Sequence, residues 1–209
     1  MNINTKEYWE NRFNSGSWNK SGQRQTLEYA KANVTNLNID KNFAGSILDF
    51  GCAMGDAISI YNDAFPKAKL SGIDVSGTAI KYCKERWGNL ASFYSGDFSN
   101  VPAMDIIIAS HVMEHITDDR KMIKEMLKKC NELFIFVPYK ESPLYHEHVN
   151  CYEEDYYNGF NVTDKKIFTV SYRIILPLRS VIKNFIFLRF NIWNNFSKQI
   201  IMFHLKGNL

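Results

Sequence analysis

Ser46-Ile47-Leu48-Asp49-Phe50-Gly51-Cys52-Ala53-Met54-Gly55-Asp56 is a short apolar run that ends beside a carboxylate and breaks into a glycine-punctuated turn. A run of this length followed by a turn and a helical stretch predicts a strand feeding a helix, the start of a βα unit. Gly51 tolerates a backbone conformation closed to other residues, and the small Ala53 and Gly55 let a ligand approach the main chain closely. The dinucleotide pattern G-x-G-x-x-G would place glycines at 51, 53 and 56, where this chain has Gly51, Ala53 and Asp56. A carboxylate at 56 competes with a phosphate for the partial positive charge of the helix N-terminus. No Gly-Lys-Ser/Thr follows, so the Walker pattern is absent as well. The turn therefore predicts a nucleotide-like ligand that lacks phosphate.

Working outward, four more apolar runs follow at helix-length intervals: KLSGID (69–74), ASFYSGD (91–97), DIIIAS (105–110) and ELFIFVP (132–138). Helices are predicted from about 54, from Ser76 to Trp87 with Ser76 as N-cap, and through 118–130. Such alternation indicates a parallel sheet with helical crossovers. Asp74 closes the second run at about twenty residues beyond the glycine turn, where a carboxylate can accept hydrogen bonds from both ribose hydroxyls. Asp97 follows the third run and is placed to accept from an adenine amino group beside Phe98. Upstream, residues 5–36 suit one or two amphipathic helices around a Gly/Ser/Asn break at 14–22. After Pro138 the texture turns polar, aromatic and irregular, as in a loop that carries function. Two alternating runs, KKIFTVSYRI and KQIIMFHLKG, then predict half-exposed strands with an aromatic helical stretch between them.

ILDFGCAMGD (47–56), GIDVS (72–76), SGDF (95–98) and DIIIASHVMEHI (105–116) together resemble, in order and spacing, the cofactor half of the class I S-adenosylmethionine-dependent methyltransferases. EYWENRF (7–13) resembles the leading helix of the bacterial small-molecule members. Ala53 departs from the family's usual middle glycine. The resemblance implies an α/β, Rossmann-like, doubly wound sheet of seven strands, mostly parallel, with an antiparallel C-terminal strand. It also implies an enzyme using S-adenosyl-L-methionine. Asp49 is then expected near the methionine ammonium, Asp74 on the ribose and Asp97 near the adenine. Gly51, Cys52, Ala53, Gly55, Val75, Phe98 and Ser110 complete the expected cofactor-binding set. One domain over 1–209 is expected: a helical cap over 1–44, a cofactor half over 45–138, and an acceptor side over 139–209.

Four of the five histidines fall after the fourth and fifth runs: His111 and His115 in SHVMEHI, His146 and His148 in YHEHVN. A neutral imidazole can take a proton from a hydroxyl acceptor, which makes His111, His148 and His146 the candidate bases. Glu114-His115 reads more simply as fixing the start of the helix. No metal site is expected, because three consecutive ligands in His146-Glu147-His148 rarely converge on one ion. The fourth run exits through Ala109-Ser110-His111 instead of Asn/Asp-Pro-Pro-Tyr, no Pro-Cys dipeptide offers a cytosine nucleophile, and there is no basic stripe, all of which argues against nucleic acid. A small-molecule acceptor remains, with O-methylation of a hydroxyl, sugar or lipid-linked metabolite as the expected reaction. The competing readings are a catalytically silent adenosyl-binding or partner module and a nicotinamide oxidoreductase. Residues 177–196 combine five large aromatic rings with Arg179, Lys183 and Arg189, which suits a lid, a homodimer face or a peripheral membrane contact.

Composition bounds the rest. The chain has 209 residues, 45% hydrophobic, with 25 basic against 22 acidic residues and a net charge of +3, a balance that names no partner. Its size allows a core that needs no disulfide or structural metal. Cys52, Cys83, Cys130 and Cys151 are scattered, which predicts free thiols in a reducing cytoplasm. The polar N-terminus lacks the apolar core of an export signal, and no uninterrupted apolar stretch is long enough to span a membrane.

Overall fold

The computed structural model describes residues 3–175 and 193–207. Seven strands form one sheet: β1 (Ser46–Phe50), β2 (Lys69–Asp74), β3 (Ala91–Ser95), β4 (Met104–Ser110), β5 (Cys130–Pro138), β6 (Val162–Ile175) and β7 (Trp193–Lys206). Their order across the sheet is β3-β2-β1-β4-β5-β7-β6. The first five are mutually parallel, β7 runs antiparallel to β5, and β6 antiparallel to β7. Helices α1 (Lys6–Asn14), α2 (Trp18–Asn36), α3 (Asp56–Ala64), α4 (Gly77–Trp87) and α5 (Asp119–Leu127) complete the described elements of that type.

Both faces of the sheet are covered, so its central strands are apolar throughout rather than alternating with polar positions. On one face Leu48, Ile107, Leu133, Ile135 and Val137 pack with α5 residues Ile123 and Met126 and with Tyr152 and Tyr157. On the other, Ile47, Ile106, Ile108, Phe134 and Phe136 pack against α2 and α3 through Tyr29, Ile58 and Tyr61. The period of two along β4 and β5 thus distributes neighbouring side chains between two cores. Local chemistry sets the helix starts. Ser76 accepts from the Ala79 amide at 3.1 Å, and Asp118 from the Lys121 amide at 3.1 Å, each an N-cap.

The register places the site. Phe50 lies beside Ile73 on one side and Ala109 on the other, so the C-terminal ends of β1, β2 and β4 finish in line. Between β1 and β4 the strand order reverses direction, and a crevice opens there in sheets of this topology. The expected helix over residues 177–196 lies outside the described residues as far as 192, and its last four residues prove to be strand, since β7 begins at Trp193. No helix among the described residues is long and apolar enough to cross a membrane. All four cysteines are free thiols.

Candidate active site

A cavity of about 600 Å³ lies over the ends of β1, β2 and β4. Its walls come from the glycine turn after β1, the ends of β2 and β3, the α1 and α2 helices, the segments that leave β4 and β5, and β7.

The turn is held by its own backbone. The Gly51 and Cys52 amides donate to the Ile73 carbonyl at 2.9 and 3.0 Å, tying the end of β1 to β2. Gly51 has φ +74°, and a Cβ there would meet Val112 Cγ2 at 2.5 Å, so both the backbone angle and the close approach demand glycine. Ala53 also adopts a positive φ, 47°, a strained angle for an L-residue. Asp74 secures that strained residue: its Oδ2 accepts from the Ala53 amide and its Oδ1 from the Ser76 amide, each at 2.9 Å. Each oxygen keeps a lone pair for a further donor.

The charge at this end is unusual. Burial raises the Asp49 carboxyl to about 7, with the nearby Asp74 charge adding to the effect. Burial likewise raises Asp74 to about 6, against the pull of its backbone amides. Two carboxyls pushed upward in one chamber favour a ligand that brings positive charge and hydroxyl donors. Burial also pushes the Cys52 thiol up, so it lines the cavity as a small neutral side chain. Val75, 43% exposed, and the buried Phe98, edge-on to Phe50 with centroids 5.6 Å apart, line the same end. Asp97 stands at the exposed rim, where its Oδ1 accepts from the Ser99 amide at 2.9 Å and its carboxyl is drawn below the usual range by that bond.

The opposite end is built from imidazoles. His111 follows β4 with φ +53°, stacks on Tyr29 with centroids 3.7 Å apart, and pairs through Nδ1 with Glu114 Oε1 at 3.2 Å. Its Nε2 is buried with no hydrogen-bond partner. His115 packs edge-on against Trp9 and against His148, with centroids at 5.2 and 4.9 Å. Glu114 is buried; burial pushes its carboxyl up, yet His111, His115 and His148 together hold it below the usual range. Ser110 accepts from Asn33 Nδ2 at 2.8 Å and lines the wall between the two ends.

Of the expected site residues, Asp49, Gly51, Cys52, Ala53, Asp74, Val75, Asp97, Phe98, Ser110, His111 and His148 come together around this one cavity. Gly55 and His146 do not. Gly55 caps α3 and turns toward Trp87 and Cys83, where a Cβ would meet Trp87 Cδ1 at 2.8 Å. His146 has a side chain 63% exposed and lies against Tyr145. Its Nε2 lies 3.6 Å from Glu147 Oε1, whose closer partners are elsewhere. That carboxylate is buried and is clasped by Tyr8 Oη and Arg12 Nη1 of α1. Trp9, Arg12, Phe13, Trp18 and Tyr29 are further lining residues that motif reading passed over. For the α1 residues the signals were the spacing of Tyr8, Trp9, Arg12 and Phe13 on one helix and the resemblance of EYWENRF; Trp18 and Tyr29 lie on α2.

Comparison with known proteins agrees with this anatomy. Residues 47–132 match the family model described as a methyltransferase domain. The malonyl-[acyl-carrier protein] O-methyltransferase of Anoxybacillus flavithermus is 28% identical over 91 residues, 42% of this chain and 35% of that protein. The match thus spans about a third of the relative's length. Among solved structures, a chain from the complex of the Haloferax volcanii Trm112 methyltransferase activator with a methyltransferase superposes with a TM-score of 0.67 at 14% identity, covering 96% of this chain and 98% of that one. The plantazolicin methyltransferase BpumL, in complex with SAH, gives a TM-score of 0.62 at 16% identity, covering 97% and 94%. Sequence motifs, strand order and the matched domain converge: residues 47–132 carry a methyltransferase domain, set in the fold of the class I S-adenosylmethionine-dependent methyltransferases.

Proposed function

We propose that the protein transfers a methyl group from S-adenosylmethionine to the hydroxyl oxygen of a small acceptor, with His111 as the general base. The observation that carries this reading is the joining of two chemistries in one cavity: buried carboxyls at one end and an oriented imidazole with a free nitrogen at the other. The donor fits the first end. Asp49 would face its cationic portion, Asp74 would accept from the ribose hydroxyls, and Val75, Phe98 and Asp97 would border the adenine. When bound, this cofactor supplies a methyl carbon on a sulfonium whose neutral thioether leaves without acid help.

The remaining work falls to the chain. Glu114 accepts the His111 Nδ1–H and so leaves Nε2 as the basic nitrogen. Nε2 takes the acceptor proton as the oxygen electron pair forms the new bond to carbon. Trp9, Phe13 and Trp18 exclude water from the chamber, and much of the rate comes from alignment. The name of the Anoxybacillus relative records an O-methyl transfer, which agrees with oxygen as the accepting atom.

The test is incubation with methyl-labelled S-adenosylmethionine and a fractionated pool of hydroxylated metabolites, with calorimetry against S-adenosylmethionine and NAD in parallel. Label in a base-stable methyl ether is the expected result. Label in an amine or a carbon-methyl product would overturn the oxygen assignment. Cofactor binding with no product from any pool would leave a silent binding module.

A further inference from the structure

Glu114, His115 and His148 each present one ligating atom within 4.8 Å of the other two. They come from two segments, the turn after β4 and the loop after β5, so their meeting is a product of the fold. The consecutive trio 146–148 is not involved as a unit, since His146 is exposed and Glu147 is committed to Arg12.

Three features separate this cluster from a packed polar core. Glu114 Oε2 is buried without any hydrogen-bond partner, while Oε1 is taken by His111. A buried carboxylate oxygen left this way is costly unless something positive reaches it. Each ring is also oriented from behind: His115 Nδ1 meets the Glu147 carbonyl at 3.1 Å, and His148 Nδ1 meets Glu141 Oε2. Glu141 is in turn fixed by Lys198 Nζ at 2.5 Å from its other oxygen. An acceptor behind Nδ1 places the ring proton there and leaves Nε2 as a lone pair, the arrangement found behind metal-bound histidines.

We propose that Glu114, His115 and His148 bind one divalent transition-metal ion, and that the acceptor hydroxyl is its fourth ligand. Two imidazole nitrogens and one carboxylate oxygen suit zinc and its first-row neighbours, and three protein ligands leave a position open. An ion there polarises the acceptor O–H and eases loss of its proton to His111, which shares Glu114 with the site. The assignment deepens the hydroxyl reading above, yet ion binding needs neither cofactor nor acceptor.

The experiment is equilibrium dialysis of the chelator-stripped full chain against Zn²⁺ alone, with zinc K-edge absorption spectra of the loaded protein. One zinc per chain is expected, with an imidazole scattering pattern. Glu114→Gln and His148→Ala should each weaken binding at least tenfold, while His204→Gln, at a β7 histidine paired with Glu132 of β5, should bind as wild type. No zinc uptake at micromolar concentration, wild-type affinity in both site variants, or a spectrum without imidazole scattering would each overturn the site. The spectrum is read on the wild-type chain, so the test survives a variant that fails to fold. Zinc bound at this site with no methyl transfer would sink the function and keep the ion; methyl transfer to oxygen without zinc uptake would do the reverse.

Discussion

The Glu10 carboxylate of α1 accepts from the Gly77 amide at 2.6 Å and so caps the N-terminus of α4 from another helix. The Thr78 amide at 3.2 Å and the Ser76 hydroxyl at 2.9 Å add to the same carboxylate. An anion at this position satisfies orphan amides and meets the positive end of the helix dipole. Glu10→Ala should destabilise the protein by about 1–2 kcal/mol, read as a lower melting temperature. Burial works against the charge, but these hydrogen bonds still draw the Glu10 carboxyl below its ordinary value. Its contribution is therefore present above the unfolded value and lost as pH falls through the lowered folded one. Melting of wild type and variant should converge in acid.

Asp74→Ala should weaken S-adenosylmethionine binding by tenfold or more, since charge-assisted hydrogen bonds contribute roughly 1.5–3 kcal/mol each. The same change leaves the Ala53 and Ser76 amides without their acceptor, so the glycine turn should loosen too. Calorimetry and thermal melting should both move. Unchanged affinity in a folded variant would remove Asp74 from the site.

Asp49 gives a pH dependence with a definite sign. Its carboxyl is raised to about 7, so in the free protein its contribution to stability is complete below the unfolded carboxyl value and is lost as pH rises through 7. A cationic ligand favours the ionised form. Cofactor affinity should therefore rise between pH 5.5 and 7.5, with proton release visible as a buffer-dependent heat. Asp49→Asn should flatten that rise.

His111→Ala should lower turnover by roughly 100-fold with little change in cofactor affinity, because help from a general base belongs to the transition state. Single-turnover rates and calorimetry on one preparation check this. Full turnover in the variant would pass the role to another group.

The cofactor end was legible in the sequence because its determinants are local. Asp49, Gly51, Ala53 and Asp74 sit at strand ends that short apolar runs announce, and parallel pairing then sets those ends side by side. The acceptor end was less so. His146 and His148 look equivalent on paper, but Glu141 takes the His148 Nδ1 while His146 faces solvent. Glu147 finds its partners 139 and 135 residues away in Tyr8 and Arg12, a separation no local pattern encodes. The ligand trio was hidden for the same reason, since Glu114 and His115 meet His148 only after β5 has been laid beside β4.

The clasp on Glu147 makes α1 an all-or-none wall. Tyr8 and Arg12 hold that buried carboxylate, Asn4 Nδ2 holds its backbone carbonyl at 2.7 Å, and Glu10 on the same short helix holds α4. Withdrawing Arg12 alone would leave the buried Glu147 carboxylate without its cation and with Tyr8 as the remaining donor from α1, at a cost of up to about 3–5 kcal/mol. Partial fraying is thus the expensive option, and the cheaper route lets water reach Glu147 as every tie lets go at once. Loading and unloading of the chamber past this helix would then be a single cooperative event. Amide exchange at Gly77 and Thr78 should share one rate with the loop around Glu147.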